Sequence, residues 1–85
     1  MNNKVQITLL TSQKSGVLSA VMLKADKFGL KYQRNQSEWL TDNRFRMIIY
    51  FNGSLNCTQV EFIDAMESHP EIHTVEDVSL GNNSD

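Results

Sequence analysis

The chain has one cysteine, one proline, one tryptophan and four glycines among 85 residues, and no lysine or arginine after Arg46. A single cysteine cannot close an internal disulfide, so the fold must be held by its core. No stretch approaches the roughly 18 apolar residues of a membrane-spanning helix. The start, Met1-Asn2-Asn3-Lys4, has no apolar signal region, and the expected location is the cytoplasm. There is no low-complexity run and no Gly-rich phosphate loop followed by Lys-Ser/Thr.

Hydrophobic residues make up 40% of the chain and charged residues 21%, too apolar for a disordered segment and too charged for a membrane protein. The length fits one small domain. A domain of this size buries only about 60–65% of its unfolded surface, so it is marginal alone and a partner would help it.

The net charge of −2 gives no basic excess for nucleic acid, but its distribution is uneven. Residues 1–46 hold all eight cations and three acids; residues 47–85 hold seven acids and no cation. Two readings follow: complementary halves that neutralise each other across one fold, or a polar surface that steers a partner.

Val5, Ile7 and Leu9 alternate with Gln6 and Thr8, which predicts a strand with one buried face. A polar turn, 11–16, follows. Val17, Leu18, Val21, Met22, Ala25 and Phe28 recur at three and four, the signature of an amphipathic helix. Ser12 or Ser15 can cap it, and Gly29 suits a left-handed stop. Leu30 to Leu40 reads as a polar edge strand, Thr41-Asp42-Asn43-Arg44 as a hairpin turn, and Phe45 to Phe51 as a central strand. Thr58-Gln59-Val60-Glu61 fits a capping box opening a second helix, with Cys57 and Phe62 at the flanking staple positions. That helix runs to about Ser68, Pro70 prevents its continuation, and Ile72 to Leu80 reads as the last strand. Residues 1–80 are expected to form the domain and 81–85 a polar tail.

The order strand–helix–strand–strand–helix–strand predicts an α+β, ferredoxin-like βαββαβ sandwich: a four-stranded antiparallel sheet with two helices on one face. Strands one and three are expected in the centre. Leu10 and Tyr50, with Tyr32 or Trp39, are expected on the helix-free face, where an exposed apolar surface would drive self-association.

No catalytic set assembles. Cys57 can be paired with His69 or His73 as a nucleophile, but its staple position suits a small buried hydrophobe. His69 and His73 are four apart with Pro70 between them, and Glu71 and Glu76 nearby. Two solvated histidines near a helix end fit better than a metal site, and no cofactor is expected. RNA binding would use aromatic and basic residues on the open sheet face; Phe45, Arg46, Tyr50 and Phe51 are present without a ribonucleoprotein motif. The turn Gln13-Lys14-Ser15-Gly16 is more suggestive. Free amides and the positive end of a helix favour a carboxylate, Lys14 adds charge, Gln13 and Ser15 can bond an amino group, and Gly16 permits close approach. The same residues also make an ordinary capped turn.

Val5-Gln6-Ile7-Thr8-Leu9, then Gln13-Lys14-Ser15-Gly16-Val17-Leu18, then Phe28-Gly29-Leu30 resembles the opening of an ACT domain, and Pro70 to Val78 resembles its last turn and strand. The likeness spans residues 4–80. It implies a regulatory module that pairs through sheet-edge or helix surfaces and binds an amino acid at the dimer interface, near the first loop. The matching ligand-loop positions are Gln13, Lys14, Ser15, Gly16, Val17 and Leu18. Gln13 stands where the family often has Asp, and Ser15 where it often has Pro; without the Asp, a ligand's amino group loses its usual partner. Similarity to free-standing members, such as the short regulatory subunit of acetolactate synthase, implies a separate catalytic enzyme subunit as partner, a thiamine-dependent one in that case. The expectation is a non-catalytic homodimer with a small ligand such as an amino acid, without nucleic acid or membrane. The alternative is a protein–protein adaptor with no small ligand.

Overall fold

The computed structural model describes residues 3–12 and 15–82. Alternation in the first segment gives β1 (Asn3–Thr11), with Val5, Ile7 and Leu9 buried. The three-four spacing that follows gives α1 (Ser15–Lys27), which seats Val17, Val21 and Ala25 on the sheet. Gly29 ends it at φ +87°, with Phe28 and Gly29 amides donating to the carbonyls of Ala25 and Asp26. β2 (Leu30–Trp39) and β3 (Phe45–Gly53) form a hairpin. Its turn places Asp42 and Asn43 at φ 65° and 57°, a conformation these two residue types tolerate better than most. α2 (Gln59–Glu67) opens with the expected capping box: Thr58 Oγ1 accepts from the Glu61 amide while the Glu61 carboxylate accepts from the Thr58 amide. β4 (Ile72–Asn82) follows.

The strand order is β2-β3-β1-β4, and every neighbouring pair is antiparallel. β1 and β3 are central, and both helices cover one face, the ferredoxin-like α+β arrangement. Val5 pairs with Phe51, Ile7 with Ile49 and Leu9 with Met47, so one face of the two central strands supplies the floor of the core. Phe62 and Met66 of α2 close it from above, with Phe28 edge-on to Phe62 at 5.7 Å.

Three expectations change. β4 runs to Asn82, with Gly81 pairing Lys4, so residues 81 and 82 belong to the sheet rather than to a tail; residues 83–85 lie outside the described residues. Leu10 and Tyr50 do lie on the helix-free face. Tyr32 and Trp39 do not: they pair with Phe51 and Phe45, in phase with the buried Met47 and Ile49, on the helix-covered side of the edge strand, where both remain exposed. The helix-free face is also less apolar than expected. Half-buried Leu10, Ile48 and Tyr50 lie among Lys4, Gln6, Arg34, Glu38 and Arg46. Arg34 stacks 4.0 Å above the Tyr50 ring, and Arg46 bridges Glu38 (3.3 Å) and Glu76 (2.9 Å).

Neutralisation between the two halves of the sequence is slight. Among the described residues one ion pair, Arg46–Glu76, joins them; Lys31–Asp26 and Arg46–Glu38 lie within the first half. Because α1 lies beside β2 and α2 beside β4, the basic and acidic segments sit toward opposite edges of the sheet.

Gly53, at the end of β3, is a close crossing. Its φ is +127°, and an added Cβ would lie 2.4 Å from the Gly29 carbonyl oxygen. Gly53→Ala should therefore destabilise the domain by more than about 1 kcal/mol in urea unfolding. Glu61 provides a second check. The Thr58 amide, then the Thr58 hydroxyl, hold its carboxyl below the ordinary glutamate range. A folded value below the unfolded one stabilises at neutral pH, and this contribution disappears as pH falls through the folded value. Urea midpoints of wild type and Glu61→Gln should differ at neutral pH and converge in acid.

Candidate functional site

β1 delivers the chain to the first turn, and two hydrogen bonds fix where it arrives. The Ser12 amide donates to the Glu71 carbonyl at 3.0 Å, and Ser12 Oγ donates to the Glu71 carboxylate. The Glu71 amide in turn donates to His69 Nδ1 at 3.1 Å. Ser12 thus ties the end of β1 to the turn ahead of β4. Ser15 is already the first helical residue.

Of the six ligand-loop positions, Gln13 and Lys14 lie outside the described residues. Ser15 and Gly16 form the opening of α1. Gly16 is exposed, and an added Cβ there would meet nothing within 4 Å. Its backbone is helical rather than left-handed, so here glycine leaves the amide uncovered without being required by the conformation. Val17 is fully buried and Leu18 packs against the core, so these two anchor the helix start. The first turn of α1 has no acidic side chain, and its last turn carries Lys24 and Lys27. The positive end of this 13-residue helix is therefore not offset by a carboxylate of its own. Glu71 is the site residue that sequence spacing did not place here; it lies 59 positions from Ser12, and no local pattern shows that contact.

The alternative chemistries do not gather. No group of three or more His, Cys, Asp or Glu that could hold a metal occurs among the described residues. Burial, then the neighbouring Glu61, push the Cys57 thiol above its ordinary range, the opposite of what an activated nucleophile needs. Cys57 packs against the core at the mouth of α2, as its staple position predicts. Among the described residues no helix is long and apolar enough to cross a membrane.

A second concavity lies between α1 and β2. This groove, of about 480 Å³, is walled by Met22, Leu23, Leu30 and Tyr32, with Asp26 and Lys31 at its rim.

No family model matches the sequence, and no curated protein matches it. Solved structures do resemble the fold. The C-terminal domain of the MgtC protein from Mycobacterium tuberculosis superimposes with a TM-score of 0.65 at 8% identity, over 99% of this chain and 90% of that one. The regulatory subunit of aspartate kinase from Thermus thermophilus gives 0.52 at 14% identity, over 94% of this chain and 50% of that one; this chain spans half its length. The ACT domain from GTP pyrophosphokinase of Chlorobium tepidum gives 0.50 at 13% identity, over 98% and 88%. At these identities the likeness is one of fold. The chain shares with these domains the ferredoxin-like arrangement of four antiparallel strands and two helices.

Proposed function

We propose that the chain is a non-catalytic regulatory module of the cytoplasm that pairs with a second copy, binds a small ligand such as an amino acid at the β1–α1 turn, and modulates a separate metabolic enzyme. The observation that carries this reading is the start of α1, which has no acidic side chain in its first turn and leaves Gly16 exposed, set in an ACT-like fold. A carboxylate is the group that such a helix end favours. Glu71, held by Ser12, brings a carboxylate toward the same turn. It supplies the acid for an ammonium group that Gln13 does not provide. Val17 and Leu18 hold the helix start rigid from beneath. Ligand binding that differs between free and paired forms shifts the assembly, which is the linkage a regulatory module needs.

A second reading, a protein–protein adaptor with no small ligand, is favoured by the separation of charge between the sheet edges. Calorimetry against the twenty amino acids at millimolar concentration separates the two. The regulatory reading expects heat with at least one of them. Gly16→Val, which has room to fold, should remove that heat by covering the amides. No heat with any amino acid would leave the adaptor reading.

A further inference from the structure

The charge that the sequence divides between its two halves is divided in space between the two edges of the sheet. On one edge, α1 and β2 carry Lys24, Lys27, Lys31 and Arg34 against Asp26 and Glu38. On the other, α2, β4 and the turn between them carry six acids, from Glu61 to Asp77, and no lysine or arginine. Each edge also exposes apolar side chains. Leu23 is 70% and Trp39 63% accessible on the basic edge; Val60 is 67% and Leu80 49% accessible on the acidic one.

We propose that the basic α1/β2 edge of one molecule docks on the acidic α2/β4 edge of a second copy. Three observations converge. The first is electrostatic: pairing like edges sets cations against cations or six acids against six acids, and only the unlike pairing is attractive. The second is directional. β2 and β4 run antiparallel to one another, since each is antiparallel to its central neighbour and those neighbours are antiparallel to each other. A copy brought alongside by translation therefore continues the sheet in antiparallel sense, with all helices on the same side. The third is apolar: the groove walled by Met22, Leu23, Leu30 and Tyr32 opens beside β2, and Val60 and Leu80 are the exposed apolar groups of the facing edge.

The contact is heterologous. A first pair leaves one basic and one acidic edge unused, so association continues as concentration rises instead of stopping at two. This rests on the self-association in the regulatory reading above, extends it beyond a closed pair and does not require a ligand, so calorimetry and the following experiment fail independently.

Two double variants each disable one edge with neutral surface changes: Leu23→Gln with Lys27→Gln, and Val60→Gln with Asp64→Asn. Circular dichroism establishes that both are folded. In sedimentation velocity at low salt, wild type should exceed 9.7 kDa, with a mass that grows with concentration. Raising salt from about 20 mM to about 500 mM should weaken it at least tenfold. Each variant alone should associate at least tenfold more weakly. Their equimolar mixture, with one intact interface, should give a heterodimer of twice 9.7 kDa and no larger species. A like-to-like α1/β2 dimer would instead leave the Val60/Asp64 variant associating as wild type does, and would overturn the proposal. So would a mixture that stays monomeric, or wild type that stays monomeric at low salt. If either variant misfolds, the single changes Leu23→Ser and Val60→Ser replace them with the same expected pattern.

Discussion

The structure depends on a sheet with one apolar side. Val5, Ile7 and Leu9 on β1 and Met47, Ile49 and Phe51 on β3 put six buried hydrophobes in register on a single face. Two short helices are enough to seal that face, and their inward residues are chosen by the three-four period alone. Because the core is small, its closure leans on local devices: the Thr58–Glu61 box that starts α2, the Gly29 stop that ends α1, and the Gly29–Gly53 crossing where β2 and β3 meet. None contributes more than a few kcal/mol, yet together they matter in a domain whose total stability is of similar size.

The same constraint shapes the surface. With both helices on one side and only two strands in the centre, the edges and the far face remain open to a solvent or a partner. The far face is protected by charge and stacking, through Arg46 with Glu38 and Glu76 and through Arg34 on Tyr50. The edges carry opposite excess charge together with exposed apolar residues. Opposite charge on the two edges disfavours like-to-like strand pairing relative to the unlike pairing.

Much of this was legible in the sequence, for reasons that differ by element. β1 and α1 showed through their periods, α2 through its capping box and Pro70, and the β2–β3 turn through Asp42 and Asn43. Edge and centre were legible from polarity: β2 has few apolar residues, whereas β3 carries the densest apolar run. What failed was long-range. A register shift near Gln33 separates Tyr32 from Arg34, so counting along β2 does not reveal which face each residue takes. The tie between Ser12 and Glu71 and the steric need at Gly53 arise between segments distant in the chain. The sign of the charge halves was plain, but self-neutralisation was the simpler expectation. It fails because each helix lies beside the edge strand of like charge. At the start of α1, the three-four period already placed Val17 and Leu18 on the apolar face, where Val17 is buried and Leu18 packs against the core.

Hydrogen exchange followed by mass spectrometry as a function of protein concentration tests the central claim, a sealed one-sided core flanked by two associating edges. The account predicts slow, concentration-independent exchange in β1 and β3. It predicts protection of β2 and β4 that rises together as the protein is concentrated. Exchange in β2 and β4 that ignores concentration, or central strands no better protected than the edges, would contradict it.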